Sequence, residues 1–505
     1  MSETEHKLGT VITTPEGPSV SSFSFLINQG AIIKRGQFIS VETEDGLAIA
    51  TVSNIFKTNR YFESAGAVNE HNKTSELYSA FPVKEWEYTI GEAHILGAYD
   101  KIEHLVRPSY PPSPGKSISS VDANVLSKFL GLDEKRGVHL GQVQQHELDA
   151  KFNMTKLLQK HLAILAISGA GKSYATTVLI EELVNRGLKD GRIAIIVIDN
   201  HGEYESLKND AAFKDKITII DAREVKVGCK HMTGKAFAAL LPNMTSVQIR
   251  ELNRIIHTTR KKEGAFDLTD LIESVKIDEN IGKATSEALV GWLSELEAMK
   301  VFAGDDYPNI EDFLQQGKVI VVTLKDILSL NKKQFVVDYI SKRLFDLRRR
   351  EKVPPYLEII EEAHNFCPEG AKSENALSRK IIETLAREGR KFYANICLIS
   401  QRPVQLSTTA LSQCNTQIIM RVTNPYDLDH IKKSAEAISS GTLDIISSLK
   451  VGEAVVIGEA ANHPVFIKIR ERKTKESHGT KLEDYAILWE AMNENSKLAN
   501  GKEFL

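Results

Sequence analysis

A chain of 505 residues is too long for one compact core and calls for two or three domains. With 42% hydrophobic and 26% charged residues it falls among ordinary globular proteins, which excludes a disordered or fibrous chain. Its 64 basic and 67 acidic residues leave a formal charge of -3, which excludes whole-molecule attraction to nucleic acid or anionic membrane.

The opening MSETEHKLGT lacks the basic and apolar regions of a secretory leader, and no apolar run approaches the length of a bilayer, so the expected location is cytoplasmic, away from membrane. From about residue 8 to residue 100, short β-type runs alternate with turn signals: SFSFLI, QFISVET, LAIATVSNIF and YTIGEAHILG. Asp45-Gly46 between two of them is a hairpin signal, and the region reads as a small β-barrel or sandwich over residues 1–105. RPSYPPSPGK then concentrates prolines, which fix φ and donate no ladder hydrogen bond, so residues 106–125 are expected to connect two domains.

A short β-like stretch, GVHLGQV, leads into residues 126–470, where apolar runs alternate with helical periodicity, the signature of a mostly parallel α/β sheet. The expected strands are HLAILAI, RIAIIVID, KITIID, KVIVVTL, YLEIIEE, ANICLIS, TQIIMRV and EAVVIG. Between about 232 and 316 the β signal gives way to helical spacing, as in SVQIRELNRIIHTTRKK, and a helical insertion is expected. Residues 471–505 read as a polar, weakly helical tail. Cys229, Cys367, Cys397 and Cys414 show no C-x-x-C pairing and are expected to be small buried hydrophobes.

The chemistry concentrates in HLAILAISGAGKSYATTVLIEEL: a strand, a glycine-bearing loop, Lys172-Ser173, then a helix. In that setting the backbone N–H groups of Ser168, Gly169, Ala170, Gly171, Lys172, Ser173 and Tyr174 can wrap phosphates. Lys172 would reach the β and γ phosphates and the Ser173 hydroxyl would hold Mg²⁺, so ATP and Mg²⁺ are the expected cofactors. The first glycine of the usual G-x-x-x-x-G-K-S pattern is Ala166 here, which serves if its φ is negative.

Two strand ends offer an acid for the metal, Asp199 in IIVIDNHGEY and Glu361 in YLEIIEEAHNF. Hydrolysis also needs a carboxylate for the attacking water, and only the second site has adjacent acids. Glu361 is therefore assigned to the metal and Glu362 to the water. Asp199, His201, Glu203 and Tyr204 are expected near the γ-phosphate or a subunit interface, in no assigned role. Gln401, ending the strand of NICLISQRP, suits a γ-phosphate sensor, and Lys160, Arg387, Arg390 and Arg402 are the cations available to stabilise phosphate charge, from the same or a neighbouring subunit. Basic clusters at Arg260-Lys261-Lys262 and Arg348-Arg349-Arg350 end helical stretches, where cations also favour the helix dipole, so they do not by themselves mark a DNA surface.

Together KHLAILAISGAGKS, IDNHGEY, IIEEAHNF, LAREGRKF running into LISQRP, and VGEAVVIG resemble the HerA branch of the HerA and FtsK family of hexameric DNA-pumping ATPases, and the N-terminal β region resembles that family's small barrel. The resemblance implies a RecA-like core and a homo-hexamer with ATP at subunit interfaces. It also implies translocation of double-stranded DNA, and a partner nuclease of the NurA type or a defence effector. It makes Lys172, Glu362, Gln401 and Arg387 catalytic, with Lys160 in the place of an arginine that acts in trans. A different class is an ATP-dependent scaffold or switch that assembles an effector nuclease and moves little DNA. A two-lobed DEAH-type helicase fits less well, since one P-loop lobe is visible, and a conjugative or secretion ATPase is disfavoured by the β region.

Overall fold

The computed structural model describes residues 7–15, 17–59, 62, 68, 87–100, 102–241, 243–370, 376–434, 438, 440–474 and, in the C-terminal tail, 483, 485–487, 489 and 490. The N-terminal region contains β1 (Lys7–Ile12), β2 (Ser22–Ile27), β3 (Phe38–Thr43), β4 (Gly46–Asn59), β5 (Glu87–Tyr99), β6 (Leu105–Val106) and β7 (Ser117–Ser120). They run in the order β2-β1-β7-β3-β4-β5, β2 pairs back onto β5, and the six strands close into a barrel with β6 outside on β5. Closure removes exposed sheet edges. Alternating inward residues such as Phe23, Phe25, Ile39 and Val41 fill its centre.

Asp45-Gly46 forms the β3–β4 turn, with Thr43 paired to Gly46. Gly46 has φ +122 and lies so close to the Tyr99 carbonyl that no side chain fits. Asp45 Oδ2 also accepts the N–H groups of Ser109 (2.6 Å) and Tyr110 (2.8 Å), pinning the proline-rich segment to the barrel. Part of the expected connector is thus sheet: β7 lies between β1 and β3. Its sequence, SISS, has one apolar residue, Ile118, and gives no alternation to read.

The second sheet has eleven strands: β8 (Val138–Val143), β9 (Asp149–Phe152), β10 (Leu162–Leu165), β11 (Ala194–Asp199), β12 (Ile217–Asp221), β15 (Val319–Thr323), β16 (Tyr356–Ile360), β17 (Ala394–Ser400), β18 (Thr416–Ile419), β19 (Glu453–Gly458) and β20 (Val465–Ile469), with the small pair β13 (Val227–Gly228) and β14 (Phe302–Ala303) apart from it. Its order is β12-β15-β11-β16-β17-β10-β18-β19-β20-β8-β9; the strands from β12 to β18 are parallel and the remainder antiparallel. The parallel strands are apolar on both faces because helices cover both. In chain order the helices are α1 (Ala123–Leu130), α2 (Met154–Leu158), α3 (Lys172–Val184), α4 (Gly234–Leu240), α5 (Ser246–Glu263), α6 (Leu268–Ile277), α7 (Lys283–Ala298), α8 (Ile310–Phe313), α9 (Leu330–Arg349), α10 (Arg379–Glu388), α11 (Thr408–Leu411), α12 (Pro425–Ser434) and α13 (Ser440–Ser448). The chain is thus an α/β P-loop ATPase fold of RecA-like type, preceded by a small β-barrel.

Helices α4 to α7 build a core of their own around Phe237, Leu252, Leu271, Leu289 and Leu293. A capping box starts α5: Gln248 N–H donates to Thr245 Oγ1, and Thr245 N–H to Gln248 Oε1. All four cysteines are free and buried, and burial pushes the thiols of Cys229 and Cys367 up to about 12. The C-terminal tail is described at residues 471–474 and a few helical positions from 483 to 490; the rest of that expectation lies outside the described residues. Among the described residues no helix is long and apolar enough to cross a membrane.

A carboxyl group is buried within the parallel sheet. Glu358, in the middle of β16, is fully buried, and one carboxyl oxygen accepts from Ser341 Oγ on α9 at 2.5 Å. Burial pushes its carboxyl up from 4.5 to about 7. The folded chain therefore holds a proton that the unfolded chain releases, and stability falls as pH rises from the unfolded value through about 7. At about 1.4 kcal/mol per unit the span is worth ~3 kcal/mol. Measured by urea unfolding, Glu358→Gln is expected to lose about 3 kcal/mol less stability than wild type does between pH 5 and pH 8. Parallel losses in both proteins would exclude Glu358 as their source.

Candidate active site

Strand β10 delivers the chain into the glycine loop at the C-terminal edge of the parallel sheet. Ala166 N–H donates to the Ser400 carbonyl (3.2 Å) and Ile167 N–H to that of Arg421 (3.0 Å), so neighbouring strands hold both sides of the entry. Ala166 has negative φ, which is why alanine replaces the usual first glycine without strain. Gly169 (φ +75) and Gly171 (φ +100) supply the left-handed turns. Space around Gly169 is open, and Gly171 ends the loop as the N-cap of α3. Loop and helix N-terminus thus form an anion cradle of backbone N–H groups.

The first two helix residues carry polar groups that find acids across the sheet. Lys172 Nζ lies 2.8 Å from Glu362 Oε1, with side chains only 11% and 5% exposed. The Ser173 hydroxyl donates to Glu203 Oε2. Glu361 turns the other way and accepts the Asn200 N–H at 2.9 Å. Glu362 occupies the left-handed region (φ 49, ψ 46), an unfavourable conformation for a side-chain-bearing residue, held by a turn that points adjacent acids to opposite sides.

Asp199 is occupied by backbone N–H groups. Its Oδ1 accepts from the N–H groups of His201 (3.3 Å), Gly202 (2.8 Å) and Glu203 (3.1 Å), and its Oδ2 from Tyr204 N–H (3.0 Å). It organises the turn that places Glu203 on Ser173. Burial, then the charges of Asp199 and Glu203, raise the Glu361 carboxyl far above its ordinary range, and burial raises Asp199 as well. Mutual repulsion of this kind is what a divalent cation relieves. Among the described residues no cluster of three or more His, Cys, Asp or Glu side chains forms a metal cage.

Strand β17 lies between β10 and β16, with Leu165 paired to Ser400 and Ile360 to Leu398. Gln401 therefore follows the strand between the loop and the acids, next to Ala166, and the exposed Arg402 stands at the same edge. Lys160 and Arg387 are elsewhere. Lys160 precedes β10, six residues before the loop entry and roughly 20 Å away along an extended strand, and pairs with Glu459 at 2.7 Å. The C-terminal end of α10, with exposed Arg387 and Arg390, comes back beside His161 at the start of β10 and β17. Within one chain these cations do not reach the loop, because an adjacent strand carries them to the opposite edge. Of the two basic clusters, Arg260 donates to the Met232 carbonyl (2.8 Å), Arg348 to those of Phe392 and Val353 (both 2.7 Å), and Arg349 covers the Phe392 ring. Those cations close helix ends and cover packing seams.

Several site groups carry no assignment from the sequence. Glu203 meets Ser173, Asn200 bridges Glu361 to Lys333 (2.8 Å), and His364 Nδ1 lies 3.4 Å from Glu362 Oε2 and 3.1 Å from Ser400 Oγ. Ser400 Oγ also accepts the Arg402 N–H at 3.0 Å. The Lys172–Glu362 ion pair and the His364–Ser400 hydrogen bond thus lie end to end beside Gln401 and Arg402; among the described residues, Glu362 Oε2 makes no hydrogen bond between them. The strings IDNHGEY and EEAH held the signal, but only strand register pairs them.

Residues 138–344 match the family model described as "Helicase HerA, central domain". The chain is 28% identical to the DNA double-strand break repair helicase HerA of Pyrococcus furiosus over 94% of this chain and 96% of that protein. It is 27% identical to the protein of the same name from Saccharolobus solfataricus, over 93% and 94%, and 27% identical to the probable helicase MJ1565 of Methanocaldococcus jannaschii, over 89% and 88%. Among solved structures, VirB4 of Thermoanaerobacter pseudethanolicus superposes with a TM-score of 0.53 at 16% identity, covering 67% of this chain and 98% of that one, a likeness of fold.

Proposed function

Because this chain belongs to the HerA branch of the HerA and FtsK P-loop ATPases, we propose that it hydrolyses ATP to translocate double-stranded DNA, as a ring-shaped hexamer working with a partner nuclease in DNA end processing or defence. The observation that carries this reading is the buried Lys172–Glu362 ion pair at the phosphate loop, with His364 and Ser400 beside it at the strand end bearing Gln401. A site that only bound nucleotide would not need a desolvated carboxylate beside the γ-phosphate lysine.

In this reading Lys172 and the loop N–H groups bind the triphosphate, and Ser173 and Glu361 would hold Mg²⁺. The cation, when bound, supplies positive charge at the phosphates. Glu362 orients the attacking water and accepts its proton at a carboxylate oxygen, His364 fixes that carboxylate, and Gln401 reports the state of the γ-phosphate to β17. Lys160 and Arg387 act in trans, on the phosphates of the neighbouring subunit, since their edge of the sheet faces away from their own loop. Residues 1–105 together with β7 (Ser117–Ser120) are taken as the barrel domain, 126–470 as the ATPase domain with its insertion at about 232–316, and 471–505 as the tail. A cytoplasmic location follows from this role.

The test is steady-state ATP turnover of a ring-sized particle with and without linear double-stranded DNA, with Lys172→Ala as the silent control. DNA is expected to raise wild-type turnover several-fold. A ring that turns over slowly and is indifferent to DNA would replace the motor with an ATP-dependent scaffold.

A further inference from the structure

We propose that the adenosine half of the nucleotide lies on a platform made by Val451, Tyr174 and Arg472, on the side of the loop away from the acids; the proposal rests on the loop being a nucleoside-triphosphate site. Sheet order fixes the direction. On one side of β10 stand β17 and β16 with Gln401 and Glu362, and Lys172 is turned towards them. A nucleotide whose terminal phosphate meets Lys172 and Glu362 extends its base towards the other side, where β18, β19 and β20 follow.

That side is built to receive a flat apolar group. The turn before β19 rests on the loop: Gly452 N–H donates to the Ala170 carbonyl at 3.4 Å, and a Cβ at Gly171 would stand 3.9 Å from Val451 Cγ1. Val451 is nonetheless 64% exposed, an aliphatic side chain presented to solvent beside an anion cradle. Tyr174, directly after Ser173, is half-buried and its hydroxyl accepts the Arg472 N–H at 2.8 Å. The Arg472 guanidinium stands 5.9 Å from the centre of the Tyr174 ring, and its Nε and Nη2 donate to Thr474 Oγ1 at 3.1 and 2.9 Å.

The segment carrying Arg472 is fixed in place. Ile469 N–H donates to the Gly452 carbonyl (2.8 Å), and the Lys473 and Thr474 N–H groups, both at 2.9 Å, reach the fully buried Glu181 of α3. The guanidinium is thus held over the tyrosine ring, within one helical turn of the metal-side serine. Planar cation, ring and aliphatic methyls together suit the face of a purine base, recognised by stacking rather than by hydrogen bonds to its edge.

The experiment measures equilibrium binding of a fluorescent ATP analogue, without turnover, and its displacement by ATP and by inorganic tripolyphosphate. Arg472→Ala and Val451→Ala are expected to weaken ATP about tenfold while tripolyphosphate stays within about twofold, since tripolyphosphate has no base to stack. Val451 is exposed, so its replacement keeps the fold intact if the arginine variant loosens the strap. An unchanged ratio of ATP to tripolyphosphate affinity in both variants overturns the platform. If Lys172→Ala leaves both ligands unaffected, the loop is not the phosphate site and the underlying reading fails instead.

Discussion

Replacing Glu362 with glutamine is expected to lower ATP turnover by about three orders of magnitude while leaving ATP affinity within a few-fold of wild type. The carboxylate stands 2.8 Å from Lys172 Nζ, almost excluded from water, with His364 behind it. Glutamine keeps the shape and can accept from Lys172, but it takes no proton from water, and general-base contributions are worth roughly 10²–10⁴ in rate. Binding is preserved because the substitution removes a negative charge from beside the terminal phosphate while the loop N–H groups remain. Glu361→Gln behaves differently: it turns away from Lys172 towards Asn200 and the Ser173 side, so its loss is expected to raise the magnesium concentration needed for turnover. Rapid-quench turnover and a magnesium titration on both variants separate the two acids. Turnover of Glu362→Gln within tenfold of wild type would remove Glu362 as the base, and a reversed pattern would exchange the roles.

Much of the fold is legible in the sequence because its central strands are buried on both faces. LAIL of β10, AIIVID of β11 and VIVVT of β15 are runs that only a covered parallel sheet tolerates. The barrel is read from its alternation and the Asp45-Gly46 turn. What escapes is short and depends on partners: SISS of β7 is a strand because β1 and β3 flank it, and β9 and β20 extend the sheet as antiparallel strands of four and five residues.

The site divides in the same way. Lys172, Ser173, Glu361, Glu362 and Gln401 lie at one edge because each sits at a strand-to-helix or strand-to-turn junction of parallel strands, and C-terminal ends of such strands share an edge. Lys160 and Arg387 stand as near in sequence to these junctions but before the strands, so the same rule sends them to the far edge. Glu203, His364 and Ser400 have no meaning until register brings strands together across long stretches of chain.

The largest stability effect is expected at Glu181→Ala, a substitution that touches no phosphate. The side chain is fully buried on α3, and burial alone would raise its pKa; the N–H groups of Lys473 and Thr474, the Thr474 hydroxyl (2.7 Å) and Arg470 (3.0 Å) together hold it below the usual carboxylate range. Alanine leaves two backbone N–H groups unpaired. Arg470, 11% exposed, would retain only Glu182 at 2.8 Å as a carboxylate partner. Breaking a buried ion pair from one side costs about 3–5 kcal/mol, which for a domain of this size lowers the melting temperature by roughly 5 °C. Because α3 begins with Lys172 and Ser173, saturating ATP, which binds only the folded loop, is expected to raise the melting temperature of both proteins and to raise it less in the variant, whose α3 is less firmly placed. Calorimetry of the variant with and without nucleotide tests both statements. A melting temperature within about 2 °C of wild type would mean that the Arg470–Thr474 strap does not anchor the nucleotide-binding helix.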